Sequence, residues 1–255
     1  MCIRDRHSPY NIATQADSSG DSFTLSGKKT FVLDGHVADK LIVVARTSGE
    51  QAERDGISLF LVDREAEGVS VIRTIMADSR NAANVELSNV KVPSDAIIGE
   101  LGKGADVVVP ALDIARIGIS AEMLGSLQEC FERTVNYLKE RKQFGVAIGS
   151  FQALKHRAAN MFCEIELSKS CVLEALTALE EDRDAEEVSK LASLTKAKVG
   201  ETFNMVSREG IQMHGGIGMT DEFYMGFYLK RARVAQMLFG DWKYHTDQAA
   251  TLSGY

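Results

Sequence analysis

Apolar residues change their spacing once along the chain, and the change falls at Pro110. Before it the pattern is short and strand-like. Phe23-Thr24-Leu25-Ser26 alternates, Leu41-Ile42-Val43-Val44 is an apolar run and Ile57 to Val62 another, interrupted only at Ser58, and Val85-Glu86-Leu87 and Val90-Lys91-Val92 alternate, with a slip at Ser88-Asn89 between them. Alternation predicts half-buried strands, an unbroken run predicts a strand buried on both faces, and the slip predicts a bulge or turn. Ser26-Gly27 and Asp34-Gly35 read as turns between strands. No helix-length stretch intervenes, so the sheet is expected to be mostly antiparallel.

After Pro110 the period becomes helical. Ile117, Ala121, Leu124, Phe131, Val135 and Leu138 predict one apolar stripe. Phe151, Leu154, Ala158, Met161, Ile165, Val172 and Leu176 predict a second, and Val188, Ala192, Val199, Phe203 and Val206 a third. The second pattern, from about Ser150 to Glu181, corresponds to a helix of roughly 45 Å. Short connections at Lys142 to Gly149 and Glu181 to Ala185 predict an up-down bundle. All three prolines (Pro9, Pro93, Pro110) precede or open this half. The charge run Glu180 to Glu187 reads as a solvated loop and helix cap.

Composition narrows the classes. The chain has 255 residues, 45% of them hydrophobic and 25% charged, enough to bury a sizeable core. A net charge of -7 and a pI near 5.4 exclude a general nucleic-acid binder, which needs surplus Lys and Arg, and a basic membrane-surface protein. No apolar run approaches the length of a membrane span. Met1 to Arg6 lacks an apolar signal core. Cys2, Cys130, Cys163 and Cys171 are scattered without a Cys-x-x-Cys pair, so neither a disulfide framework nor a zinc site is expected and a reduced, cytoplasmic setting is the default. The five histidines show no metal-ligand spacing. Gly99-Glu100-Leu101-Gly102-Lys103-Gly104 lacks the Gly-Lys-Ser/Thr of a phosphate loop. Gly215-Gly216-Ile217-Gly218 follows a helical stretch rather than a strand, so on spacing alone it reads as a helix cap and turn.

The order of the motifs carries more than any one of them. Glu140-Arg141-Lys142-Gln143-Phe144-Gly145 joins the first two helical stretches, Phe151-Gln152 opens the second, and Gln212-Met213-His214-Gly215-Gly216-Ile217-Gly218 ends the third. Leu25-Ser26-Gly27-Lys28-Lys29-Thr30-Phe31 and Val90-Lys91-Val92-Pro93, followed by Ile98-Gly99-Glu100, precede them. From about Asn11 onward this resembles the acyl-CoA dehydrogenase family. The resemblance implies an α+β, multidomain chain: a partial antiparallel β-barrel-like domain over residues 11–105, an up-down four-helix-type bundle over 106–255, and an unassigned segment over 1–10. The family's N-terminal helical domain and flavin loop have no counterpart, which implies a fragment of a longer protein.

It also implies FAD. Carried over, Arg141 meets the pyrophosphate held by a neighbouring subunit, a task suited to a planar, always-charged fork. Phe144 packs near the adenine or ring edge, Gln152 and Gln212 serve the adenosine half, and Gly215 and Gly216 permit close backbone approach. Phe31, Val32 and Leu33 lie against the isoalloxazine, with Leu33 where a hydroxyl residue is usual. Arg116 falls at the acyl-CoA site; its plainer reading is an ion pair within the bundle. The implied reaction is α,β-desaturation of an acyl-CoA thioester, as in fatty-acid β-oxidation. Its electrons pass to an electron-transfer flavoprotein, and the enzyme is a homo- or hetero-oligomer of tetrameric kind. The expected catalytic Glu is absent from both family positions, where this chain has Phe239 and Ala115. Asp241 can substitute as base, the chain can be the base-lacking small subunit of a heteromeric member such as a pimeloyl-CoA dehydrogenase, or the base is lost and an FAD-binding scaffold remains. The subunit reading is favoured, with Asp241 as the residue to test.

Overall fold

The computed structural model describes residues 7–255. Met1 to Arg6, and with them Cys2 and most of the unassigned N-terminal segment, lie outside the described residues. The rest forms two compact units that divide between Ala111 and Leu112, inside a long helix.

The first unit is a seven-stranded sheet made from β1 (Gln15–Ser19), β2 (Ser22–Leu33), β3 (Lys40–Arg46), β4 (Ile57–Asp63), β5 (Val69–Ile75), β6 (Asn81–Pro93) and β7 (Ile97–Ile98). Its order is β5-β6-β2-β1-β3-β4-β7. Pairings are antiparallel except β1 with β3, which meet in parallel at Gln15 and Arg46. The sheet is therefore mixed and open, as expected of a partial, barrel-like domain, except that one pairing is parallel. One face buries Phe23, Leu25, Leu41, Val43, Phe60, Val62, Val85, Leu87, Val90 and Val92, but β3 and β4 are not buried on both faces as their apolar runs suggested, since Ile42 and Leu61 are exposed on the other side. Ser26-Gly27 is no turn: β2 runs through it, and the register shift between Leu25 and Gly27 faces the slip at Asn89 in β6. Asn89 has φ 53°, a left-handed residue of the kind that a bulge inserts. A second shift, between Lys29 and Val32, places Phe31 in a bulge at the far end of β2.

The second unit holds most of α1 (Ala105–Glu140), a hairpin of β8 (Lys142–Gln143) and β9 (Val146–Ala147), then α2 (Gln152–Glu180), α3 (Ala185–His214), α4 (Met225–Met237) and α5 (Trp242–Thr251). Helix α1 starts five residues before Pro110, because a proline near a helix start removes few bonds. Helix α3 packs against α2, α4 and α5. The side chain of Asp184 caps it by accepting from Glu186 N at 3.0 Å, and Glu186 and Glu187 fill its positive first turn.

The buried faces follow the predicted stripes closely in α3 and in most of α2, and shift in phase along α1. Met123, Leu127, Cys130 and Leu138 of α1 form the core with Met161, Ile165 and Val172 of α2 and Val199, Phe203 and Val206 of α3. Ala121, Leu124 and Phe131 lie only at its edge, and Leu176 is exposed. The missing positions belong to hydroxyl residues. Ser120, Thr134 and Ser168 are fully buried, each donating one turn back, to Arg116 O at 2.7 Å, Cys130 O at 2.8 Å and Glu164 O at 2.8 Å.

Candidate functional site

The sites expected from the sequence fall into three local groups, two of them in the bundle unit. The first lies at the junction of α1 and α2. Phe144 (φ 52°) and Gly145 (φ 81°) are both left-handed, as a two-residue type I′ hairpin turn demands. Such turns prefer Asn-Gly; here a phenylalanine stands in the Asn place, at a backbone cost of about 1–2 kcal/mol. Its ring is 91% exposed, and its one ring contact among the described residues is with Phe151, edge-on, at 6.2 Å between centroids. Arg141 precedes the hairpin, its carbonyl accepting from Ile148 N at 2.8 Å. Its guanidinium has no ion pair or hydrogen bond among the described residues. Gln152, the first residue of α2, is likewise exposed with no side-chain partner.

The same end of the bundle continues at the C-terminus of α3. Gly215 takes φ 63° to cap the helix, with Gln212 exposed one turn before it. A Cβ on Gly218 would meet Ile211 O at 2.7 Å, so packing within the chain requires that glycine. A Cβ on Gly216 would meet nothing within 4 Å. Beneath this loop His214 is buried, stacked on Tyr137 at 4.3 Å, with Nδ1 2.6 Å from Gly210 O. Burial lowers its pKa, and the Gly210 carbonyl partly offsets that.

The second group surrounds the connection between α4 and α5 and is almost wholly buried. Asp113 and Arg116 of α1 pair at 2.7 Å, with 2% and 7% of their surfaces exposed. Ser189 of α3 donates to the other Asp113 oxygen. Arg116 Nε donates to Phe239 O at 3.2 Å, and His245 Nε2, at 2.9 Å, approaches the same carbonyl. Lys196 of α3, 1% exposed, donates to Gln236 O at 3.1 Å and Gly240 O at 2.9 Å. Burial pushes its ammonium down to about 7; neighbouring Arg116 adds to the drop and Asp241 opposes it. Phe239 is itself left-handed, at φ 58°, and packs against the bundle core. Asp241 caps α5 by accepting from Tyr244 N at 3.0 Å. Arg116 is thus the internal ion pair of its plainer reading, and it also holds the loop that carries Phe239. Sequence reasoning missed Asp113, Lys196 and His245. The signal for Lys196 was its phase, since it fills the gap between Ala192 and Val199 in the third stripe.

The third group belongs to the sheet unit. Phe31 (φ 53°, 57% exposed) sits in the β2 bulge, its backbone N–H donating to Asn84 Oδ1 at 3.3 Å. Val32 packs on the sheet core, and Leu33 is 40% exposed. Phe31, Phe144 and Phe239 are three bulky residues held at positive φ, and strain of this kind collects where a fold presents a side chain for use.

At one bundle end, an arginine without a side-chain partner among the described residues, an offered aromatic ring and an open glycine make up a class of surface suited to a phosphate-bearing aromatic group. Comparison with known proteins narrows the class. The family model for the acyl-CoA dehydrogenase C-terminal domain matches residues 102–251, and that for the middle domain matches residues 6–90. The chain belongs to the acyl-CoA dehydrogenase family. It is 32% identical over 234 residues to the mitochondrial short/branched chain specific acyl-CoA dehydrogenase of Bos taurus, covering 91% of this chain and 53% of that one. It is 31% identical over 226 residues to subunit CarC of the caffeyl-CoA reductase-Etf complex of Acetobacterium woodii, covering 88% and 59%. The butyryl-CoA dehydrogenase of Megasphaera elsdenii superposes with a TM-score of 0.89 at 25% identity, covering 96% of this chain and 64% of that one. The chain thus spans little more than half the length of the curated relatives it matches. No helix among the described residues is long and apolar enough to cross a membrane.

Proposed function

We propose that this chain is the greater part of a flavin-dependent acyl-CoA dehydrogenase subunit that desaturates an acyl-CoA thioester between its α and β carbons, within a homo- or hetero-oligomer. The observation that carries this reading is the unpartnered set at one bundle end. Among the described residues the side chains of Arg141, Gln152 and Gln212 have no polar partner, Gly216 faces open space, and Phe144 meets Phe151 edge-on yet holds an unfavourable backbone to stay exposed. Their chemistry fits FAD: a fixed cation for the pyrophosphate, a ring and two amides for the adenosine half, and Gly215 and Gly216 leaving room for close backbone approach. Phe31, Val32 and Leu33 supply an apolar wall for the isoalloxazine. When bound, the flavin supplies the acceptor for the hydride that leaves the β carbon. The electrons are assigned to an electron-transfer flavoprotein, a partner supported by the Etf complex of the Acetobacterium woodii relative. Arg116 belongs to the substrate side, and with Nη1 and Nε engaged inside the bundle its influence runs through the Phe239 loop. A cytoplasmic setting completes the reading.

Asp241 is assigned the α-proton. Removing that proton needs a carboxylate, and neither Phe239 nor Ala115 has one. A second reading, an FAD-binding subunit without catalysis, is favoured by the cap that Asp241 already makes to Tyr244. Asp241→Asn separates them, because Asn caps a helix as well as Asp and the fold is kept. Loss of turnover with flavin retained assigns the base; unchanged turnover leaves the structural reading. The reading as a whole is tested by the visible spectrum of the chain purified with its co-expressed partner, where absence of flavin overturns it.

A further inference from the structure

We propose that Lys196 is a positioning residue for the loop Leu238–Asp241, holding Phe239 in its left-handed conformation by fixing the carbonyls on either side of it. This deepens, and rests on, the reading that the loop bounds the acyl-CoA site.

The geometry is convergent. Loop residue Phe239 is left-handed, a state its side chain disfavours, so neighbouring contacts must impose it. Three donors from three helices supply them. Lys196 of α3 ties Gln236 O, at the end of α4, to Gly240 O, so that one ammonium spans the loop. Arg116 of α1 and His245 of α5 take the intervening Phe239 O. His245 is steadied by Ser193 Oγ at 3.2 Å from its Nδ1, and Arg116 by Asp113. Gly240 leaves room for the His245 ring, which an added Cβ would strike.

A lysine is a poor choice for this place on stability alone. It is 1% exposed and has no carboxylate within ion-pairing distance among the described residues. Burial disfavours its charge, and an apolar side chain of similar length would fill the space without desolvating an ammonium. What the lysine provides is the shape of the loop. The outcome is an apolar ring, that of Phe239, turned onto the bundle core beside Leu238. The loop wall is thereby fixed, and with it the shape of what it bounds.

Lys196→Met and Lys196→Arg in the full chain with its partner test this. Hydrogen exchange is the first readout, because it needs neither flavin nor turnover. In Lys196→Met the segment 238–242 exchanges more than 10-fold faster, while segments of α1 and α3 around Leu127 and Phe203 stay within 3-fold of the parent, and Lys196→Arg recovers most of the protection. Uniform acceleration along the bundle, or no acceleration at the loop, overturns the proposal. Should Lys196→Met fail to fold, Lys196→Leu, which also removes the donor, provides the same comparison. Where turnover is measurable, kcat falls and the KM for acyl-CoA rises in Lys196→Met with flavin content unchanged. Loop loosening without turnover in the parent would leave the positioning intact and sink the enzymatic reading instead.

Discussion

Two regions of the bundle answer to opposite demands. Around the α4–α5 connection each polar group is engaged: Asp113 with Arg116 and Ser189, Lys196 with two carbonyls, His245 with Ser193 and Phe239 O. At the α1–α2 hairpin and the end of α3, Arg141, Phe144, Gln152, Gln212 and Gly216 are exposed, and among the described residues none of their side chains has a polar partner. A buried polar group without partners is expensive, so the inner set is explained by the chain itself. The outer set costs the chain nothing as arginine or glutamine and something as Phe144, and the proposed function gives these residues a ligand to meet. Substitutions should therefore act on stability in the inner region and on cofactor retention in the outer one.

The largest effect is expected at Asp113. Asp113→Ala strands the Arg116 charge inside the bundle, which costs about 3–5 kcal/mol, read by chemical denaturation. Arg116→Met on top of it should restore much of that loss, because the stranded charge is gone. If Asp113→Ala were nearly neutral, the inner set would not be a stability element and the contrast would collapse. Next comes Arg141→Ala, predicted to weaken flavin retention by about 10- to 100-fold through loss of a charge-assisted contact, with a denaturation midpoint like the parent's. A lowered midpoint in flavin-free protein would show that Arg141 serves its own chain after all.

Lys196 gives the inner region a pH signature. Its ordinary pKa of 10.5 falls to about 7 on folding. Between those values the unfolded chain keeps a proton that the folded chain has lost, so stability rises with pH across the window and the gain is absent below it. The slope is at most about 1.4 kcal/mol per pH unit. Denaturation of the parent minus that of Lys196→Met, followed from pH 7.5 to 9.5, should climb; a flat difference would mean that the ammonium is not penalised by burial. Arg116, Asp113, His245 and Asp241 face it from α1 and α5 and are common to both proteins.

The fold was legible where side chains advertise their surroundings. Strands β2, β3, β4 and β6 carried alternation or apolar runs. Strand β1, with Ala16 its one buried residue, and β5 at the sheet edge did not announce themselves. Helices were legible as helices and the faces of α2 and α3 largely as predicted, yet the buried face of α1 was displaced; Ser120, Thr134 and, in α2, Ser168 bury hydroxyls that the helix backbone satisfies, and a hydrophobic count skips them. The outer residues were singled out through the resemblance, since their chemistry is spelled in motifs. Asp113, Lys196 and His245 were not. They act on backbone carbonyls brought together by packing, and only the charged residue in the phase of an apolar stripe marked one of them. Phe144 is the reverse case, a motif residue whose strained turn became visible only with the backbone.

The smallest expected effect separates two glycines two residues apart. Gly218→Ala brings a methyl to within 2.7 Å of Ile211 O and 2.9 Å of His214 Cβ, so backbone must shift, at about 1–3 kcal/mol. Gly216→Ala meets nothing within 4 Å and lies at no positive φ, so the chain should be unaffected or steadied by a few tenths of a kcal/mol through a less flexible unfolded state. Flavin content should still fall in Gly216→Ala, because the methyl would occupy the space that a close-lying ligand needs. Equal stability with equal flavin content would remove Gly216 from the outer set. Lower stability with equal flavin content would move it to the inner logic, where a glycine is kept for the chain's own packing.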